Sequence, residues 1–361
     1  MRLLLVGPAN SIHLARWANA LAERHEVHLA TLHAPGDQVY DPRVRLHRLA
    51  GPSTRNYFLA APALGLLARR IKPELCHAHY ATGYGTLARL GLVGVRTPRV
   101  LSVWGSDVYE APTLGRLWLR LVRDNLRWAD VVASTSWAMA RQVERLARVR
   151  RLAVVGFGID VDLFRPTDRP DSDVVTLGTV KALAPVYGID TLLEAFALVR
   201  RATPTPVRLL LFGGGPDRAA LEALADRLGI ADAVTFRGQI PHQAVPAALA
   251  ELDVYVALSR SESFGVAILE ASACGLPVVV SDADGPAEVT VDGTTGLVVP
   301  RDDPAAAAAA LLRLVTDPEL RARMGLEGRA HVLAHYTWAE SLATLESLYA
   351  SLVTPRRSRT A

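Results

Sequence analysis

Cysteine is nearly absent from this chain. Its two thiols, Cys76 and Cys274, fall in different halves of the sequence, which excludes a disulfide framework and a cysteine-based metal centre. Long apolar runs are missing too: there is no stretch of about 18 uncharged apolar residues. The opening Met1-Arg-Leu-Leu-Leu-Val-Gly7 is also shorter than the apolar region of a secretory leader. These absences predict a cytoplasmic protein whose contact with the inner face of a membrane is at most peripheral. Acidic and basic residues, 36 and 40 of them, are interleaved along both halves, and aromatics make up only 6%. A basic stripe with interleaved aromatics is therefore missing, which excludes a nucleic-acid partner. Lysine is scarcest: only Lys72 and Lys181 occur, leaving 40 − 2 = 38 arginines. Against that bias, a lysine kept in a loop marks a place where an ammonium is wanted.

What is present is an α/β pattern long enough for two cores. Arg2 to Val6 is apolar, the loop Gly7-Pro8-Ala-Asn10-Ser11 follows, then a helical pattern from Ile12 to Leu21 and a strand over Glu26 to Thr31. That is the β-loop-α-β opening of a doubly wound domain. A loop at a helix start is where phosphates bind, which makes Asn10 and Ser11 candidates. The fingerprint G-x-G-x-x-G is missing, so a dinucleotide is disfavoured. His13, at the helix start, has two readings, a site residue or a structural one. Asn56 to Arg70 reads as one apolar helix. His77 and His79 share a face of a strand but lack a third ligand, which argues against a metal. The strand from Arg99 runs into Trp104-Gly105-Ser106-Asp107, where Asp107 is either an acid at the site or an N-cap.

The polar, proline-containing segment Thr167 to Asp173 is the expected domain boundary. Beyond it a strand from Val174 delivers Lys181 to a loop before a helix over Thr191 to Arg201. Gly213-Gly-Gly215 follows the strand Val207 to Phe212 without the third glycine of a nicotinamide site. A further strand ends at Arg237-Gly238.

The stretch the chain is organised around is Ser259-Arg-Ser-Glu262-Ser263-Phe264-Gly265-Val266-Ala-Ile-Leu-Glu270-Ala-Ser-Ala-Cys274-Gly-Leu-Pro277-Val-Val-Val-Ser281. It reads as a loop, a short apolar helix opening near Phe264, a Cys-Gly-Leu-Pro stop and a buried strand. The two carboxylates stand roughly 12 Å apart at 1.5 Å per residue, too far for a shared proton and suited to two ends of one extended ligand. Each taken alone also reads as an ordinary helix acid.

This stretch, with Asp284-Gly285-Pro286-Ala-Glu288 and Asp292-Gly-Thr-Thr-Gly296 downstream, resembles the Glu-x7-Glu signature of the GT4 family of retaining glycosyltransferases. The resemblance implies an α/β fold of two facing, doubly wound Rossmann-like domains (the GT-B architecture) with an interdomain cleft. The expected limits are an acceptor-binding domain over 1–167, a nucleotide-sugar-binding domain over 168–335, a C-terminal helix over 336–354 returning to the first domain, and a disordered basic tail over 355–361. It implies transfer of a sugar from a nucleotide diphosphosugar to a hydroxyl of a glycan, a lipid-linked acceptor or a small molecule, with retention of anomeric configuration. No cofactor and no divalent metal are expected. Asp282-x-Asp284 spells the metal motif of another architecture and is not read as a metal site.

On the donor side the resemblance places Asn10, Ser11, Lys181, Gly213, Arg237, Gly238, Glu262, Ser263, Phe264, Gly265, Val266 and Glu270. Glu262 and the helix start would hold sugar and phosphate, and Glu270 the ribose. Family members usually carry an Arg and a Lys on the diphosphate; Thr179 and Tyr187 stand near those places here, so Lys181 is expected to act alone. His13, Trp104 and Asp107 are the acceptor-side candidates, with Trp104 where relatives often have His. Lys181, Glu262 and Asp107 are the candidate catalytic residues. The alternatives are a nucleotide-sugar epimerase of the same architecture and a non-catalytic nucleotide-sugar-binding protein.

Overall fold

The computed structural model describes residues 1–167 and 172–353. The chain forms two compact units, Met1–Phe157 joined by the chain from Ser341, and Gly158–Glu340. The second unit thus begins ten residues before the boundary read at 167/168, and the reason is local. Ile159 pairs with Thr337 in an isolated bridge, its N–H donating to Tyr336 O and its carbonyl accepting from Trp338 N–H. Part of the polar linker and the whole basic tail 355–361 lie outside the described residues.

The first unit holds seven strands, β1 (Arg2–Val6), β2 (Glu26–Thr31), β3 (Arg45–Arg48), β4 (Leu75–His79), β5 (Arg99–Ser102), β6 (Val131–Ser134) and β7 (Leu152–Val154). They are parallel in the order β3-β2-β1-β4-β5-β6-β7. The second holds β8 (Val175–Val180), β9 (Val207–Phe212), β10 (Val234–Gly238), β11 (Val254–Ala257), β12 (Val278–Ser281) and β13 (Gly296–Val299). These too are parallel, in the order β10-β9-β8-β11-β12-β13.

Both sheets are covered by helices, so their central strands are buried on both faces and read as continuous apolar runs, such as Leu3 to Val6 and Val278 to Val280. Edge strands read differently. Arg45-Leu-His-Arg48 is polar and mostly exposed, which is why its sequence carries no strand signal.

One helix expected from Asn56 to Arg70 is two, Asn56–Leu59 and Ala61–Ile71. Pro62, in the first turn of the second, has no N–H to continue the first. The main helix of the second unit opens at Val266, two residues later than read, because Gly265 takes a left-handed φ of 104° as its cap.

In each sheet the strand order reverses once, between β1 and β4 and between β8 and β11. The carboxyl ends of strands at such a reversal are where α/β sheets hold ligands.

Candidate functional site

In the second unit, β8 ends at Val180 and β11 at Ala257, so Lys181 and the Ser259 to Glu262 loop leave the two sides of the reversal. Lys181 Nζ lies 2.5 Å from Glu262 Oε1, while Glu262 Oε2 accepts from Ser259 Oγ at 2.8 Å. Side-chain exposure is only 9% for Lys181 and 13% for Glu262. Burial pulls the Lys181 ammonium down, but the Glu262 carboxylate, with Tyr255 and Tyr187 nearby, outweighs it and holds the pKa above the ordinary lysine range. The lysine is therefore charged, and its ammonium also stands 5.2 Å over the Tyr187 ring.

The surroundings fix this pair. Arg260 ties its own loop to the Lys181–Asp190 loop, its guanidinium meeting Asp190 at 2.8 Å and Asp302 at 2.6 Å. Lys181 N–H donates to Phe212 O, and Gly213 follows at φ 153° with its N–H on Gly238 O. A Cβ at Gly213 would run into the Lys181 carbonyl, so this glycine lets β9 leave directly beneath the lysine. Glu262 O accepts from Gly285 N–H at 2.9 Å, which joins the downstream motif to the site.

Phe264 is buried and Gly265 caps the helix Val266–Ala273, whose first N–H groups by geometry have no acceptor within the helix. Ser263 is half-buried beside them.

Glu270, 7% exposed, is engaged elsewhere: its Oε1 meets His242 Nε2 at 3.1 Å. His242 stands edge-on to Phe164. Arg237 is exposed and pairs with Glu251 at 2.9 Å, and Gly238 turns the chain beside it at φ 77°. Asp282 pairs with Arg301, and Asp284 opens a short helix. No group of three or more His, Cys, Asp or Glu that could hold a metal occurs among the described residues.

In the first unit Asp107 is 1% exposed and its carboxylate accepts three backbone N–H groups, from Ala81 at 2.7 Å, Gly105 at 3.0 Å and Trp104 at 3.1 Å. Burial pushes its pKa up against the pull of those amides. It is not the N-cap of the short helix Ser106–Tyr109, a place held by Gly105; its carboxylate instead ties together the turns that follow β4 and β5. His13 stacks on Phe157 with ring centres 4.1 Å apart, and Trp104 stands among His13, His79, Tyr80 and Phe157. Ser11 Oγ caps the helix Ile12–Ala22 by accepting from Leu14 N–H at 3.4 Å, and Asn10 is exposed beside it.

Ser259 opens the quoted stretch but was given no role there, and His242 and Phe157 carry no motif.

Two doubly wound parallel sheets in one chain, the second with this lysine–glutamate pair at its reversal, make the GT-B architecture. Solved structures share it. A sucrose-phosphate synthase from Thermosynechococcus elongatus superposes with a TM-score of 0.84 at 23% identity, covering 98% of this chain and 99% of that one. Anabaena HepE in complex with UDP gives 0.84 at 19%, covering 98% and 100%.

The family "Glycosyl transferases group 1" matches residues 161–331, and "Glycosyl transferase 4-like" matches residues 2–136. A GDP-mannose-dependent alpha-(1-6)-phosphatidylinositol monomannoside mannosyltransferase from Mycolicibacterium smegmatis is 30% identical over 93% of both chains. An N-acetyl-alpha-D-glucosaminyl L-malate synthase from Bacillus anthracis is 27% identical over 91% of this chain and 90% of that one. The chain belongs to the group 1, GT4-type nucleotide-sugar glycosyltransferases.

Proposed function

We propose that this protein transfers a sugar from a nucleotide diphosphosugar to a hydroxyl acceptor, retaining the anomeric configuration and needing no divalent metal. The observation that carries this reading is the largely buried Lys181–Glu262 pair at the strand reversal, just ahead of the helix Val266–Ala273. Cleavage of the C–O bond puts negative charge on the departing diphosphate and positive charge on the sugar. Lys181 and the first N–H groups of the helix would neutralise the diphosphate, the task a metal performs in other transferases. Glu262 would hold sugar hydroxyls and favour the cationic sugar. Glu270 would accept from the ribose hydroxyls. Retention is supported by the resemblance to the retaining family.

The relatives' names differ in donor, GDP-mannose in one and UDP bound to another, so the donor base is an experimental question. We place the activity in the cytoplasm with membrane contact at most peripheral; no helix among the described residues is long and apolar enough to cross a membrane.

The test is a thermal-shift screen against UDP-, GDP-, ADP- and dTDP-sugars in EDTA. A ligand at about 1,000 times its Kd stabilises the fold by about 4 kcal/mol. The nucleotide class that shifts the protein is then used with glycosyl acceptors, and the anomeric coupling of the product is read by NMR. No shift in EDTA with a shift in magnesium overturns metal independence. An inverted product overturns retention, and epimerisation of the donor without transfer overturns the transferase reading.

A further inference from the structure

At the reversal of the first sheet, the C-terminal ends of β1, β2 and β4 open onto a cavity of about 500 Å³. Its walls include Asn10 and Ser11 after β1, His33 after β2, Tyr80 after β4, and the rings of Tyr57 and Tyr84. No Asp, Glu, Lys or Arg is among the described residues that line it. Burial lowers the His33 pKa below its usual value, so this ring too is neutral at physiological pH.

The three tyrosines are held in place, Tyr84 buried and Tyr57 and Tyr80 half-buried. Tyr80 sits at a left-handed φ of 71°, rare for a side chain of its size and a form of strain that gathers at binding sites. Its ring is braced edge-on by Trp104 at 5.0 Å. Tyr57 stands edge-on to Tyr84 at 5.2 Å, and its ring occupies the space that a Cβ at Gly83 would fill. The Tyr84 hydroxyl meets His33 Nδ1 at 2.6 Å and accepts from Leu32 N–H at 3.0 Å.

Two helix starts border the cavity, and such ends attract anions where their N–H groups are open. Here protein acceptors close part of each. Ser11 Oγ takes the Leu14 N–H, and Tyr80 O takes the Gly85 N–H at 2.9 Å.

We infer that this cavity binds an uncharged sugar ring of the acceptor, and disfavours a phosphate-bearing one. A sugar ring has an apolar C–H face and a rim of hydroxyls that both donate and accept. Tyr57 and Tyr80 offer faces to the first, and Asn10, Ser11 and His33 offer neutral partners to the second. A phosphate entering the same space would shed water with no cation to meet it, which is costly. The word acceptor rests on the transferase reading above; the binding statement rests on the cavity alone.

The experiment is saturation-transfer NMR on the intact chain with methyl α-mannoside and methyl α-glucoside, against mannose 6-phosphate, glucose 6-phosphate and inositol 3-phosphate, without donor. The neutral glycosides should give ring-proton saturation that Tyr57→Phe keeps and Tyr57→Ala weakens about tenfold. Asn10→Ala, at an exposed position that the fold does not need, should also weaken it, and so covers a failure of Tyr57→Ala to fold. Stronger saturation of the phosphorylated sugars, none with any sugar, or a signal indifferent to both alanine variants overturns the inference. Nucleotide release from a donor sugar, followed with the same panel, reports the transferase reading separately. Binding of neutral glycosides without transfer upholds the cavity assignment and removes the reaction; transfer only to phosphorylated acceptors does the reverse.

Discussion

Lys181 Nζ stands 2.5 Å from Glu262 Oε1 across 81 residues of sequence, the ammonium roofed by Tyr187 and the carboxylate held from its other side by Ser259. Neither charge is well solvated, so each depends on the other until a ligand intervenes. A diphosphate arriving at Lys181 would take over the role of Glu262 and release that carboxylate toward the sugar.

Removing one member of this pair should therefore act on both stability and catalysis. Lys181→Ala is expected to destabilise the free protein by roughly 3 kcal/mol, since it leaves Glu262 buried and unpaired. It should also lower kcat by more than it raises KM, by about 2–4 kcal/mol of transition-state stabilisation. The double variant Lys181→Met with Glu262→Gln should recover stability in urea unfolding but not turnover. Equal losses in kcat and donor affinity would make Lys181 a simple binding residue.

Gly213 tests the same site without touching its charges. Gly213→Ala forces a Cβ against the Lys181 carbonyl at a φ of 153°, so the lysine must shift or the strand end must open. The expected result is a lower melting temperature together with weakened donor binding. A variant with unchanged affinity would show that the position of Lys181 is set by Glu262 alone.

Glu270→Ala should weaken free nucleotide by about tenfold, the scale of a lost hydrogen bond to a charged group, as read by titration calorimetry. His242→Ala should stay within about threefold, because the His242 side chain is 41% exposed while that of Glu270 is 9% exposed. A larger loss for His242 than for Glu270 would move the nucleotide contact to the histidine.

The strand β4 makes stability depend on pH. His77 is buried against the Tyr349 hydroxyl at 2.5 Å and Ser102 Oγ at 2.8 Å, and neither ring nitrogen of His79 has a hydrogen-bond partner among the described residues. Burial lowers the His77 pKa to about 3, and burial with the neighbouring His77 lowers that of His79. Both histidines are neutral when folded and take a proton when unfolded below pH 6.5. Their stabilisation is thus complete above about pH 6.5 and is lost below it at about 1.4 kcal/mol per pH unit for each, the share of His77 running down toward pH 3. Urea unfolding between pH 7 and 5 should show this slope, and His79→Leu should reduce it. An unchanged slope would place the titration elsewhere.

Much of this was legible along the chain. The runs Leu3 to Val6, Val131 to Ala133 and Val254 to Ala257 announce buried strands because a parallel sheet covered on both faces leaves no polar alternation. Lys181 stood out by the scarcity of its kind, and the Glu262 to Glu270 stretch by its motif. The polar edge strand β3 was silent, since three of its four residues are exposed. The break at Ala60 needed Pro62 to be weighed against a continuous apolar pattern.

The sequence by itself determined the two α/β units, the order of most of their elements and the loop-helix stretch that carries Glu262 and Glu270, because strand and helix periodicity, glycine turns and helix stops are local signals. Only the tertiary structure decided what each polar group meets. Parallel crossovers bring together segments far apart in the chain, so Lys181 finds Glu262, Glu270 finds His242 and Asp107 is spent on the amides of Ala81, Trp104 and Gly105. The same crossovers gather Tyr57, Tyr80, Tyr84 and His33 around one uncharged cavity. No spacing rule records such pairings, since they are fixed by which strand ends lie side by side at a reversal of the sheet.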